Sequence, residues 1–543
     1  MNRRLIAHAD RLLAAERGII RKTPGGRISV CLVYPNRYSV GMASLGFQGI
    51  YALLNSRDDV VCERAFLPDE KQLAEYRRTR TPVFSLESKR PLAGFDMVAF
   101  SLSFENDYPN LFRILELSRI PFWAAERTAR HPLLMAGGVC ATINPEPFAE
   151  VFDLVFAGDA ETSLPAFIDA YAGTHRSSVV AEAVKIPGIH APGYARIMYH
   201  PDGTIASRSV QEGTPDGVVR QRCGDIGTSP VTTAIVSSEI EFADMYLVEA
   251  MRGCPWNCRF CMVGNVYRPV RPKPLDAVRA EIGRARALTQ RIGLVGPSLT
   301  DYRHIEDVLA LPGVMFSLTS LRATERSARL IDLLKGAKSV SIAPEAGTER
   351  MRRVINKKVT EQDIIETAAL LFQNGIDQLR LYFMIGLPGE RDEDIAGIVQ
   401  LIARIRALSP RGMITAGISP FVPKPFTPFQ WAAMEEQGSI REKLRRIKKD
   451  TRKLPGVRIM HDVLKQSYLQ GLLSRGDRRL GRLLAEMVLS DDYVSAAERT
   501  GVSIPWYVHR QRGQRELLPW DFIDAGVAKE HLWSEWQESQ RLF

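Results

Sequence analysis

No run of about 18 apolar residues, the length a membrane-crossing helix needs, occurs anywhere in the 543-residue sequence. A helical membrane protein is therefore not expected. The opening residues MNRRLIAHADRLLAAERGII place Asp10, Arg11 and Glu16 where a secretory leader needs an unbroken apolar stretch, so no leader is expected either. Internal repeats and low-complexity tracts are missing, and a composition of 45% hydrophobic, 25% charged and 8% aromatic residues excludes disorder and collagen. Cysteine is scarce, with only seven, an odd number, and three of them lie within Cys254–Cys261. That is not a disulfide framework, and it predicts a cytoplasmic protein with reduced thiols. What is present is length enough for several domains, and we expect three. The formal charge of +10 hints at a polyanionic partner, but residues 441–453 hold eight basic and two acidic side chains. The rest of the chain is close to balanced.

Short β-branched runs at Ser29–Tyr34, Val60–Phe66, Met97–Leu102, Leu133–Ala136 and Leu154–Phe156 alternate with helical stretches. This alternation predicts an α/β fold that opens with a doubly wound sheet over residues 1–187. Polar and glycine residues gather after the runs, at 36–46, 101–107, 137–144 and 158–161, the edge at which such sheets bind ligands. Residues 188–244 read as a β-rich antiparallel linker with a hairpin over Pro201-Asp202-Gly203. Six further runs, Tyr246–Ala250, Ile292–Val295, Val314–Leu318, Ser339–Ala343, Gln378–Ile385 and Thr415–Phe421, predict a (β/α)6 partial barrel over 245–436. From 437 to 543 the pattern is mainly helical.

The chemistry starts at Cys254-Pro-Trp-Asn-Cys258-Arg-Phe-Cys261, a C-x3-C-x2-C loop after the first barrel strand. Three soft thiolates at this spacing can hold three irons of a [4Fe-4S] cluster and leave the fourth open. A closed structural zinc site would want a fourth ligand, and the nearest histidines, His200 and His304, are over 40 residues away. With Phe260 before the last cysteine, this loop on a strand opening a six-unit barrel resembles the radical S-adenosylmethionine (SAM) superfamily. The resemblance implies that SAM chelates the open iron and that an electron from the cluster cleaves it to methionine and a 5′-deoxyadenosyl radical. Other SAM contacts follow by position in the resemblance. Gly296, Pro297 and Ser298 stand where many members carry Gly-Gly-Glu, Glu345 opens an E-x-G-[ST]-E-R segment, Gly386 and Leu387 match the adenine-contact segment, and Phe421 and Val422 match the adenine wall. Each of these also has a plain reading as a strand end, a helix cap or packing.

An open α/β domain before such a barrel resembles the cobalamin-binding domain of B12-dependent radical SAM enzymes, which methylate poorly reactive centres. The implied contacts are Tyr38, Gly41, Ser101, Ser103, Glu105, Gly137, Gly138, Gly158 and Glu161. The Asp-x-His-x-x-Gly segment is absent, so cobalamin would bind without a histidine ligand. The rival is the methylthiotransferase type, a cobalamin-free enzyme acting on RNA with a second cluster on three N-terminal cysteines. Cys31 and Cys62 fall inside predicted strands, which points to core residues instead, and only Cys140 sits in a turn.

Ser439-Ile-Arg-Glu442 reads as a capping box opening a helix with Ile440, Leu444, Ile447 and Leu454 on one stripe. The basic faces over Arg441–Lys453 would meet solvent, RNA or another polyanion, or the acidic surface of a flavodoxin- or ferredoxin-type electron donor. A non-catalytic nucleic-acid-associated scaffold is the reading from a different class. Leu518-Pro-Trp520-Asp-Phe-Ile-Asp524-Ala-Gly-Val527 and Pro35-Asn-Arg-Tyr38-Ser-Val-Gly41-Met42 resemble segments of one radical SAM family whose substrate is unsettled. Phe426 departs from the histidine that its members tend to carry. Trp431, Trp506, Tyr507 and Trp520 are expected mainly to pack the C-terminal region onto the barrel.

Overall fold

The computed structural model describes residues 2–23, 25–172, 176–318, 320–324, 326–327, 330, 333, 339–490 and 492–543. Its N-terminal sheet contains β1 (Ile28–Tyr34), β2 (Val60–Phe66), β3 (Met97–Ser101), β4 (Leu133–Gly137), β5 (Leu154–Phe156) and β6 (Ile189–His190). The spatial order is β2-β1-β3-β4-β5-β6, parallel up to β5, with β6 antiparallel at the edge. β1 is buried along nearly its whole length because layers cover both faces of the sheet. The order reverses between β1 and β3, and a doubly wound sheet opens a crevice at the C-terminal ends of its strands there.

The linker forms the expected hairpin, Ala195–Tyr199 against Ile205–Val210, with Gly203 at φ 87° in the turn. Two of its shorter segments pair elsewhere: Val218–Val219 runs parallel to Ile523–Asp524, and Val236–Ser237 pairs with Glu16–Arg17.

The second series is β7 (Met245–Glu249), β8 (Arg291–Val295), β9 (Met315–Ser317), β10 (Ser339–Glu345), β11 (Gln378–Ile385), β12 (Met413–Pro420) and β13 (Val457–His461). β7-β8-β9 and β10-β11-β12-β13 are two parallel sheets, and the bridge Leu321↔Ile342 joins them. β13 is a seventh strand, lying inside the stretch expected to be helical from 437 onward. The helix Gln437–Thr451 is thus the connection between β12 and β13. It buries Ile440, Leu444 and Ile447 in the core under the sheet. This helix starts two residues before Ser439, with Glu436 as its cap, so the expected capping box does not form. Ser439 instead donates to Glu435, and Glu442 pairs with Arg445.

The helices from Leu464 to Val508 share the core of the N-terminal sheet, which holds Leu472, Leu483, Tyr493 and Tyr507. Tyr507 therefore packs against the N-terminal sheet and not the barrel. Residues from Leu518 onward enter a third core beside the cysteine loop, together with Trp431, Trp520 and Trp536. No helix among the described residues is long and apolar enough to cross a membrane.

Candidate functional site

The cysteine loop leaves β7 through Gly253, which has φ 83° and whose Cβ, were it present, would stand 2.2 Å from the Tyr267 carbonyl. Gly264 closes the loop equally tightly, 2.2 Å from the Trp256 carbonyl by the same measure. Asn265 Nδ2 donates to the Cys261 carbonyl at 2.8 Å, and the Arg268 guanidinium donates to the Gly264 and Pro255 carbonyls. The backbone N–H of Trp256 lies toward the Cys254 sulfur and lowers its pKa, and those of Gly264 and Val263 do the same at Cys261. The three thiols lie within electrostatic reach of one another. Burial raises all three pKa values, that of Cys261 to about 11.

Two cations oppose that rise at Cys258, Lys357 first and then Arg322. Arg322 lies over the Trp256 ring at 3.7 Å. The Trp256 indole N–H donates to Asp301 Oδ2 at 2.6 Å, and Ser298 Oγ donates to the same oxygen at 2.6 Å. Lys357 Nζ donates to Glu345 Oε1 at 2.9 Å. Glu345 has φ 67°, a left-handed conformation that a side chain with Cβ adopts only under constraint, at the end of β10. The site therefore gathers Glu345, Ser298 and the three cysteines.

Among the described residues no three His, Cys, Asp or Glu side chains converge on a single ion. A cubane asks for something different, one sulfur per iron. The soft donor set, the N–H groups aimed at sulfur and the flanking cations all suit an anionic iron–sulfur group.

Other expected SAM contacts lie differently. Phe260, Leu387 and Phe421 belong to the third core, Leu387 and Phe421 fully buried within it, so they offer packing and backbone in place of an open ring surface. Val422 packs against the N-terminal core. Gly386 has φ 77°, and the space beside its Cα is filled by Ile440 Cδ1, 2.6 Å from where a Cβ would stand. Its glycine is required by the Gln437–Thr451 helix, and its N–H donates to Glu390 at 2.8 Å.

Two cavities meet beside the loop. One, of about 460 Å³, lies at the C-terminal edge of the N-terminal sheet, where Ser101, Ser103, Gly137, Gly138, Gly158 and Glu161 all line it. The other, of about 520 Å³, runs along β7 and β8 past Gly253, Met262, Gly296 and Pro297. Leu45, Val139, Glu249, Arg252, Tyr267 and Val295 line both, so the two adjoin, each of small-molecule size, in one chamber region beside the loop.

Three residues expected at the sheet edge do not reach it. The Tyr38 hydroxyl donates to Glu16 Oε1 at 2.7 Å, deep in a cluster with Arg64. Gly41 lies under the Phe66 ring. Glu105 is paired with Lys424 and accepts from Gln470 at 3.0 Å.

Sequence reasoning missed Arg252. Its guanidinium meets Asp159 at 3.2 Å, Glu161 at 3.0 Å and Glu249 at 2.8 Å, and Arg271 also meets Asp159, at 2.5 Å. Burial works against its charge, yet the carboxylates from both halves of the chain hold it protonated. Its place two residues before Cys254, three after Glu249, was the available signal. Lys357 and Arg322 carried none, because the turns that deliver them are not written in the cysteine motif.

Residues 46–192 match the family described as radical SAM proteins, N-terminal, and residues 248–402 match the radical SAM superfamily. The uncharacterized protein MJ0966 of Methanocaldococcus jannaschii is 29% identical over 461 residues, covering 84% of this chain and 90% of that protein. A tRNA-2-methylthio-N(6)-dimethylallyladenosine synthase of Acetivibrio thermocellus is 25% identical over 177 residues, 29% of this chain and 37% of that one. Among solved structures, the apo cobalamin-dependent SAM radical enzyme OxsB superposes with a TM-score of 0.48 at 15% identity, over 79% of this chain and 57% of OxsB. The chain thus spans little more than half of OxsB's length. With one match covering the edge of the N-terminal sheet and the other containing the cysteine loop, the chain belongs to the radical SAM superfamily of enzymes, whose cofactors are a [4Fe-4S] cluster and SAM.

Proposed function

We propose that this enzyme holds its cluster on Cys254, Cys258 and Cys261, binds cobalamin at the edge of the N-terminal sheet, and transfers a methyl group to an unactivated centre. The single observation that carries the cobalamin reading is the cavity at that edge, which adjoins the cavity beside the cysteine loop through six shared lining residues. When bound, the cluster supplies the electron that cleaves SAM to a 5′-deoxyadenosyl radical, and cobalamin supplies the methyl group.

The residues present fit such a group. Leu32, Phe100, Met135, Phe156 and Leu164 give an apolar bed, and Ser101 and Ser103 give hydroxyls. No histidine lines the cavity, so the ring would be held by shape and by its amide edges. Gly138 has φ 98°, and a Cβ there would stand 2.6 Å from the Leu102 carbonyl, which fixes the backbone at the cavity floor. Asp159, Glu161 and Glu249 are paired with Arg252 and Arg271, which offsets most of the carboxylate charge at the polar end of the chamber. A flavodoxin- or ferredoxin-type protein is the proposed reductant, with the exposed faces of Arg441–Lys453 as its acidic partner's landing surface. The methylthiotransferase reading would need a second cluster on Cys31, Cys62 and Cys140. None of these lines either cavity.

The test is protein made anaerobically with cobalamin supplied. Bound corrinoid is expected in its absorption spectrum and in extracts, near one per chain. Ser101→Phe, which fills the cavity, should lower that content at least tenfold and leave iron unchanged. Reproducible absence of corrinoid from the wild type would defeat the methyl-transfer reading.

A further inference from the structure

One face of the β10–β13 sheet is covered by helices. Leu379, Leu381, Ile414, Ala416 and Ile418 bury there against Leu371, Leu401 and Ile447. On the opposite face Arg380, Tyr382, Arg458 and Met460 are exposed, and its rows are fixed by register. Ser341, Arg380, Thr415 and Arg458 are direct neighbours across the four strands, and Tyr382, Gly417 and Met460 form the next row.

The contents of these rows are unusual for a sheet face inside a barrel, which normally carries packed apolar layers. Arg380 and Arg458 are exposed. Neither has an ion-pair or hydrogen-bond partner among the described residues. They stand on either side of Thr415, about 10 Å apart at Cα given strand spacings of about 4.8 Å. No acidic residue occupies either row. Tyr382 lies across Gly417, its ring 3.1 Å from where a Cβ would stand, and remains 44% exposed. Glycine here lets the ring lie flat, with one face open beside Met460.

We propose that this face binds a small phosphorylated substrate that carries a planar ring, with its phosphate on the Arg380–Thr415–Arg458 row and its ring on Tyr382. The inference rests on the reading of the barrel as the catalytic unit, and it names the class of molecule that unit acts on. Two guanidinium forks and a hydroxyl offer donors from both sides to a group with three free oxygens, which matches a phosphate monoester better than a two-oxygen carboxylate. A lone pair of arginines neutralises one phosphate. It does not make the continuous basic track that a polynucleotide would need.

The experiment is calorimetric titration of the full chain with uridine 5′-monophosphate and, separately, inorganic phosphate, without SAM or reductant. The uracil ring keeps the probe distinct from SAM's adenine. Arg380→Gln and Arg458→Gln should each weaken both probes about tenfold, the scale of one charge-assisted hydrogen-bonding group. Tyr382→Leu should weaken the nucleotide several-fold and leave inorganic phosphate unchanged. Circular dichroism verifies folding, which these exposed substitutions should spare.

The proposal is overturned if the wild type binds neither probe, or if both arginine variants bind as the wild type does. It is also overturned if Lys448→Gln on the outer helix causes the same loss. Tight binding of a uridine decamer that the arginine variants leave intact would point to an RNA surface elsewhere and likewise refute it. Loss of 5′-deoxyadenosine formation by the wild type, with nucleotide binding retained, would fail the catalytic reading and leave the site standing.

Discussion

Cys254, Cys258 and Cys261 share one loop after β7, whereas Cys31, Cys62 and Cys140 are buried in strands β1 and β2 and in the helix Val139–Ile143. Burial raises the thiol pKa in both sets. Charges of both signs surround both sets: Glu63 and Glu87 add to the rise at Cys31 and Cys62 while Arg90 and Arg64 oppose it, and at Cys258 Lys357 and Arg322 oppose it while Glu345 adds to it. Equal numbers of cysteine are therefore poor guides to a cluster; what discriminates is that one trio shares a single loop and the other is spread over three core elements.

The strongest break of this comparison is a pair of triple variants. Replacing Cys254, Cys258 and Cys261 by alanine should take iron from about four per chain to none and 5′-deoxyadenosine to background. Replacing Cys31, Cys62 and Cys140 by alanine should leave the iron in place and lower Tm by several degrees through lost core volume. Iron that falls from eight to four in the second variant would mean that both trios carry clusters.

A smaller effect is expected at Arg322→Gln. Removing a cation beside Cys258 should disfavour the reduced cluster and lower its potential by up to about 60 mV, the equivalent of a tenfold change for one electron. An EPR-monitored redox titration reads it, and an unmoved potential would leave Arg322 as packing for Trp256.

The smallest effect probes the buried side. Burial pushes the Asp107 carboxyl up to about 7, with Asn36 donating to it at 2.7 Å. A raised folded-state pKa means that the native protein holds this proton more tightly, so the contribution is full below about pH 4 and is lost as pH rises through about 7. His190, lowered by burial to about 3, acts in the opposite sense over the same range. The difference in Tm between wild type and Asp107→Asn isolates the carboxyl: it should shift in favour of the variant from pH 4 to 7 and be flat above.

The strands could be read from their β-branched runs: layers on both faces of the N-terminal sheet leave a near-continuous apolar stretch at Val30–Tyr34, while Leu379–Ile385 keeps buried apolar residues at alternate positions with Arg380 and Tyr382 exposed between them. β13 escaped because Val457–His461 is an edge strand exposed on one side, with Arg458 and His461 interrupting the pattern. The cysteine loop was legible because its chemistry is local. The sheet-edge contacts were only partly so: Ser101, Gly137 and Gly158 follow directly from strand ends, but whether Tyr38 or Glu105 faces the cavity depends on Glu16 and Lys424, which are far away in sequence. Gly386 shows the same limit, since the neighbour that requires its missing side chain is Ile440, more than fifty residues on.

Arg252 has a consequence for traffic through the molecule. It is gripped by Asp159 and Glu161 from one half of the chain and by Glu249 from the other. Drawing the halves apart would strand a largely buried charge, which costs about 3–5 kcal/mol for each fully buried pair broken. The two halves are in effect riveted together along that seam. Cargo lodged at the sheet edge should exchange slowly and survive gel filtration, because the two halves do not part readily to release it.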